Sequence, residues 1–258
     1  MWERLHYLAS PPHFYRLSGT WIPWLSTGTL LLFGLGLYLG LFVAPPDYQQ
    51  GDGFRIIYVH VPSAWMSLFV YLFMATSGAI GLIWNMKVAE VVAHCSAPLG
   101  ALFTALALAT GSIWGKPMWG TFWVWDARLT SELILLFLYL GVIALDNGIE
   151  DPKMAARAAA ILAIVGLVNI PIIHYSVEWW NTLHQGPTVT RLGRPAIHPS
   201  MLWPLLVMAA AFQLYFFWIL LVRVRTELLW RERRARWVQE LLSGSGSPQR
   251  EGMGRTVP

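Results

Sequence analysis

Six runs of apolar residues, separated by polar stretches rich in Gly and Pro, extend along most of the chain. They fall near Trp21–Val43, Ser63–Trp84, Ala93–Ile113, Leu129–Leu145, Ala155–Ile173 and Met201–Val222. Each approaches the roughly 20 residues a helix needs to cross a hydrocarbon core about 30 Å thick. The fourth and fifth are the shortest, at 17 and 19 residues. The pattern predicts an all-α integral membrane protein built as a six-transmembrane-helix bundle over residues 1–223. The first run is too long for a cleaved signal and follows a polar stretch of about 20 residues, so it is expected to remain as an anchor. Beyond the last run, Val224–Leu242 reads as a basic amphipathic helix, and the Gly/Ser-rich residues 243–258 as a disordered tail. No internal repeat is visible.

Composition supports the membrane reading. Of 258 residues, 56% are hydrophobic and 12% charged, about half the charged share of a soluble domain. That excludes an ordinary soluble enzyme, a disordered regulator and a disulfide-stapled secreted domain. The single cysteine, Cys95, lies in an apolar run and reads as a packing residue. Thirteen of the 18 Lys and Arg lie on the side holding both termini and the second and fourth loops. By the positive-inside rule both termini face the cytoplasm. The arginines from Arg223 to Arg236 fit topology or contact with anionic lipid better than nucleic-acid binding.

The outward loops are the long ones: Ala44–Pro62, Trp114–Arg128 and His174–Ser200. A bundle builds its site where its long loops gather. The central loop reads WGKPMWGTFWVWDARLT and carries Trp114, Trp119, Trp123 and Trp125, four of 15 tryptophans, closed by Asp126. Trp119 and Trp123 would share a face on a helix, whereas Gly115, Pro117 and Gly120 argue for a bend. The indoles suit either a shelf for a large flat ligand or an interfacial aromatic belt.

Four of the seven histidines fall on the outward side: His60, His174, His184 and His198. His60 sits in YVHVPSAW, where the following Pro62-Ser63 suits the start of the second helix. His184 sits in SVEWWNTLHQGPT, which reads as a short surface helix ended by Gly186-Pro187. Trp180 would then lie one turn before His184 and orient its ring. Two imidazoles on opposite sides of an aromatic shelf can ligate a metal between them, and neutral imidazole is a usual ligand of haem iron. Zinc is disfavoured, because no cysteine or close second histidine supplies tetrahedral spacing. His6, His13, His94, His174 and His198 read as solvated or hydrogen-bonded residues.

Three long strings carry a resemblance: HVPSAWM (His60–Met66), WGKPMWGTFWVWDARLTSELILL (Trp114–Leu136) and YSVEWWNTLHQG (Tyr175–Gly186). With them the chain resembles the WWD-domain haem-handling membrane proteins over nearly all of residues 15–225. The extended basic C-tail departs from that pattern without touching the site. The resemblance implies that His60 and His184 are axial ligands of an externally bound haem b, carried as cargo, with the WWD segment 114–128 as its platform. It implies delivery to a periplasmic haem chaperone for c-type cytochrome biogenesis at the cytoplasmic (inner) membrane. The implied partners are a small single-helix membrane protein and the ATPase and membrane subunits of an ABC transporter.

Other residues complete the reading. The haem propionates would need cations, and Lys116, Arg128, Arg55, Arg191 and Arg194 are the candidates. Asp126 is expected either to cap the fourth helix or to hydrogen-bond a histidine or tryptophan of the site. Glu132, the only carboxylate inside an apolar run, is expected to pair with Arg128 four residues earlier. Asn169 is expected to join two helices. No nucleophile–base pair or phosphate loop indicates catalysis. The alternatives are a b-type cytochrome subunit, for which His94 is the only membrane-embedded histidine, and a non-haem transporter, for which Glu132 alone is thin.

Overall fold

A computed structural model describes residues 9–180, 182–184, 186, 189 and 195–243. The described residues form helices and connecting turns, with one isolated antiparallel bridge between Asp47 and Gly51. Helix α1 (Pro11–Tyr38) continues through a π turn to Val43. After a short 3-10 turn come α2 (Ile57–Trp84), α3 (Lys87–Trp119) and α4 (Ala127–Gly148). Helices α5 (Pro152–Val165) and α6 (Asn169–Trp179) join through a 3-10 turn into one continuous span. Helix α7 (Pro199–Arg231) and the short α8 (Arg236–Leu242) complete the order. Six spans are long and apolar enough to cross a membrane, and each contains one of the six apolar runs. The chain is a multi-pass membrane protein.

Local chemistry sets the helix ends. Asp151 caps α5 by accepting from Lys153 N and Met154 N at 2.9 and 2.8 Å, and Pro152 takes the first helical position, where no amide hydrogen is needed. Asn85 ends α2 and Gly120 ends α3, both in the left-handed region, at φ 52° and 77°. Helix α7 does not stop near Val222. It continues to Arg231 because Val224 and Leu228 remain buried, and a turn at residues 232–235 precedes α8. The residues after Ser243 lie outside the described residues.

Helix α3 is the centre of the bundle, with 61% of its apolar stretch buried against 17% for α1. Helix α1 packs chiefly on α7, and it leaves Trp24, Leu30, Leu31 and Phe42 facing outward, where lipid would cover them. Lipid tails are as apolar as leucine, so helices in a bilayer associate through close packing and internal hydrogen bonds. Small residues permit that approach: Gly36 faces Met208, Gly78 faces Ala160 and Gly100 faces the Tyr139 ring. Asn169 Nδ2 donates to Ser131 O at 2.9 Å, joining α6 to α4 as the sequence leads one to expect.

Both ends of the described chain meet at one end of the bundle. Trp237 of α8 lies 5.6 Å from the Tyr15 ring, and the Arg225 guanidinium sits 3.7 Å over that same ring. Lys87 bonds Glu232 at 2.7 Å, and His94 bonds Asp146. The opposite end brings together residues of the 46–50 turn, the end of α3, the start of α4 and the described residues between α6 and α7.

The buried Tyr71 hydroxyl has no partner among the described residues and sits where a Cβ on Gly166 would be 2.0 Å away. Gly166→Ala should therefore lower the melting temperature in detergent, by overpacking of about 1–3 kcal/mol. The double variant Gly166→Ala/Tyr71→Phe should recover most of that loss, because the clashing atom is gone. Equal loss in both backgrounds would show that the hydroxyl is not what limits the space.

Candidate functional site

A cavity of about 630 Å³ opens at the loop end, within the range typical of ligand pockets. Its walls come from the 46–50 turn, α2, the last turns of α3, α6 and the segment before α7. His60, His184, Trp114, Trp119 and Arg128 all line it. The spacing in sequence is wide, but the loop end of the bundle brings these five together.

His60 stands on the first turn of α2, not before it. Helix α2 starts at Ile57, and Pro62 falls early enough in the helix that few hydrogen bonds are lost. The Nδ1 of His60 lies 3.1 Å from Ala107 O and 3.0 Å from Thr110 Oγ1 on α3. The Thr110 hydroxyl donates back to Leu106 O at 2.6 Å. Both neighbours therefore act as acceptors, so Nδ1 carries a hydrogen, and in the neutral ring Nε2 keeps its lone pair. The Trp114 ring meets the imidazole edge-on at 5.6 Å. Trp114 is itself fixed by donating Nε1–H to Gln50 Oε1 at 2.8 Å.

His184 is held in a parallel way by different elements. Its Nδ1 lies 3.4 Å from Asp126 Oδ2, and the Trp119 ring meets it edge-on at 4.9 Å. Asp126 also caps α4, accepting from Leu129 N at 2.8 Å. Both roles expected of Asp126 are thus filled by one side chain. An imidazole whose Nδ1–H faces a carboxylate presents Nε2 as a stronger ligand. Burial pushes the His184 proton affinity below the ordinary histidine value, and the Arg128 charge adds to that; the Asp126 carboxylate opposes both. The ring is therefore neutral at pH 7, the form that binds a metal.

The structure separates other expected site residues from the cavity. Helix α6 ends at Trp179, so Trp180 does not sit one helical turn before His184. Trp180 packs against Trp179 at 5.8 Å and stays half exposed. Trp119, not Trp180, is the ring against His184. Helix α3 runs straight through Gly115 and Pro117 to Trp119, then breaks at Gly120, so Trp119 and Trp123 share no helical face. Residues 121–126 are non-helical; Trp123 and Trp125 pair edge-on at 5.3 Å, and Trp125 is exposed. Neither lines the cavity.

Among the cations, Arg128 borders the cavity and donates Nη1–H to Ile173 O at 2.9 Å. Arg55 is committed to Gly40 O, Ala44 O and Asp52. Lys116 donates to Gly120 O and lies over the Phe122 ring, away from the cavity. Arg191 and Arg194 lie outside the described residues, as does Pro187. The expected Arg128–Glu132 ion pair is absent among the described residues; Glu132 is instead within 2.7 Å of the Ser67 hydroxyl. His174 and His198 also line the cavity. Gln50, which anchors Trp114, carried no sequence signal at all.

A profile of the family described as heme exporter protein C matches residues 4–239. The chain is 52% identical to heme exporter protein C of Escherichia coli strain K12, over 95% of this chain and 99% of that protein. It is 51% identical to the Haemophilus influenzae protein of the same name, over 93% and 98% of the two chains. The Bradyrhizobium diazoefficiens protein of that name is 50% identical over 88% and 86%.

The contact between Asp126 and His184 makes a pH prediction. In an NMR titration of the labelled imidazole, His184 should titrate below 6.5, and Asp126→Asn should move it lower still, since the opposing negative charge is removed. The folded protein holds this proton less tightly than the unfolded chain, so stability should fall as pH drops below that value. Asp126→Ala should cost about 1 kcal/mol more, because the α4 cap is lost too. A His184 value above 6.5 would contradict this balance of burial and charge.

Proposed function

Since this chain belongs to the family of heme exporter protein C, we propose that it binds haem b as cargo at the outer, periplasmic face of the cytoplasmic membrane. It then hands the haem on for c-type cytochrome biogenesis. The observation that carries this reading is the matched pair His60 and His184: each ring has Nδ1 engaged by an oxygen and an indole at its edge, and both border one cavity. Their neutral Nε2 atoms are the axial ligands of the iron.

The residues fit such a cargo. Trp114 and Trp119 offer apolar area on the cavity wall, and among the described residues Arg128 is the candidate cation that borders it and could meet a propionate. The carboxylate partner at His184 and the neutral partners at His60 make the two ligands unequal. In this reading both termini face the cytoplasm. The WWD segment then faces the recipient, a periplasmic haem chaperone, while a single-helix membrane partner and an ABC transporter's ATPase and membrane subunits act with it. In this reading the haem is cargo, and the protein is a haem-handling carrier and not a catalyst.

A b-type electron carrier would need histidines facing each other within the bilayer. His94 is instead bound to Asp146 at the other end of the bundle.

Purified full-length protein loaded with haem should give the optical spectrum of six-coordinate, bis-imidazole iron. Replacing His184 by Ala should leave a five-coordinate species that added imidazole restores, and replacing both histidines should abolish stable binding. An unchanged iron spectrum in the double variant would sink the assignment.

A further inference from the structure

The His60 ring is enclosed by one stripe of α3. Ala107, Thr110, Gly111 and Trp114 follow one another at intervals of three, one and three residues, so they share a helical face. Ala107 O and Thr110 Oγ1 share the Nδ1 hydrogen at 3.1 and 3.0 Å. Turning the ring over about its Cβ–Cγ bond would set a carbon-bound hydrogen against both oxygens and forfeit that bond. Gly111 lies against the next edge, where a Cβ would be 3.0 Å from Cε1 of the ring. Any side chain at 111 would press on the imidazole. Trp114 closes the stripe, edge-on to His60 at 5.6 Å and to Phe54 at 5.9 Å.

Trp114 is held in turn from outside α3. An indole Nε1–H can only donate, and this one donates to Gln50 Oε1 at 2.8 Å. The backbone that carries Gln50 is fixed. Asp47 Oδ1 accepts from Gln49 N and Gln50 N, both at 2.9 Å. Asp47 and Gly51 also exchange backbone hydrogen bonds at 3.2 and 2.9 Å. Gly51 closes that turn at φ 58°, where glycine meets no Cβ penalty. Further along, Arg55 fastens the same connection to the end of α1, donating to Gly40 O at 2.6 Å and Ala44 O at 2.9 Å. A line of contacts therefore runs from the α1–α2 connection through Gln50 and Trp114 to the imidazole.

We propose that the stripe of Ala107, Thr110, Gly111 and Trp114 clamps the His60 imidazole in one orientation, and that Gln50, acting through Trp114, holds the clamp closed. Gln50 is a positioning residue: it borders the cavity, but its amide oxygen is committed to the indole. The clamp itself needs no ligand. Its consequence rests on the haem reading above, in which a fixed imidazole plane gives the iron one ligand geometry instead of several. A ring that has already lost its rotation also gives up less freedom on binding a metal.

NMR of the ring signals tests the clamp on full-length, haem-free protein with isotope-labelled histidine in lipid nanodiscs. The wild type should give one sharp set for His60, identified by its loss in His60→Ala. Gln50→Leu, which keeps bulk but removes the acceptor, should broaden or split that set and leave the His184 signals in place. Gln50→Glu, which restores an acceptor oxygen, should return a single set. Trp114→Phe should reproduce the Gln50→Leu effect, and combining the two should add nothing. Gly111→Ala should shift the His60 signals with Gln50 intact. An unmoved His60 set in Gln50→Leu or Gly111→Ala, equal changes at His184, or full additivity of the pair would overturn the proposal. After haem loading, the low-spin ferric g-values of Gln50→Leu should spread more widely than those of the wild type; unchanged g-values beside split ring signals would overturn the link from clamp to iron. The NMR measurement uses no haem, so the clamp can fail while the haem reading stands. A wild type without bis-imidazole iron would remove the haem reading and leave the clamp.

Discussion

One carboxylate ties the fold to the site. Asp126 sits at the boundary between bilayer and loop, where the first amides of α4 have no helical acceptor and no lipid can supply one. One oxygen of Asp126 answers that need at Leu129 N, and the other faces the Nδ1 of His184. The helix start therefore fixes where the second histidine can rest. Its partner across the cavity, His60, is fixed differently, by backbone and hydroxyl oxygens of α3. The two rings thus share one cavity while resting on different parts of the fold, a connecting segment and a packed helix.

The six spans were legible in the sequence because the bilayer imposes a length and an apolar composition that few other structures share. The cap at Asp126 and the bridge from Asn169 were legible for a related reason: a polar group in or near lipid has few places to go. The limits of sequence reading are equally physical. Gly115 and Pro117 suggest a bend before Trp119, but Pro117 lies in the last turns of α3, and the Trp119 ring packs close over Gly115. That contact joins residues four apart on one helical face, so it forms only if the helix runs unbroken to Trp119. Once the helix ends at Gly120, the backbone no longer turns every 3.6 residues, so Trp123 and Trp125 lie two apart in an irregular segment and meet each other instead of the cavity. A shift in the helix end of a few residues decides which indoles belong to the site.

Histidine partners show the same limit. The sequence offered Trp180 as the neighbour of His184, on the assumption of a continuing helix. Helix α6 stops at Trp179, and Trp119 from a different element takes the place. Likewise the i,i+4 spacing of Arg128 and Glu132 suggested an ion pair. Arg128 found a backbone carbonyl of α6 and Glu132 a serine of α2, because both neighbouring helices lie within reach. Spacing along one helix cannot reveal what packs beside it.

The central claim is that two neutral imidazoles, one from α2 and one from the loop before α7, present Nε2 to the same iron. Electron–nuclear double resonance on the low-spin ferric haem complex, with histidine labelled by 15N, tests this most directly. Two strongly coupled imidazole nitrogens are expected, one lost in His60→Ala and the other in His184→Ala. A single coupled nitrogen in the wild type, or a pair that survives either substitution, would contradict the account.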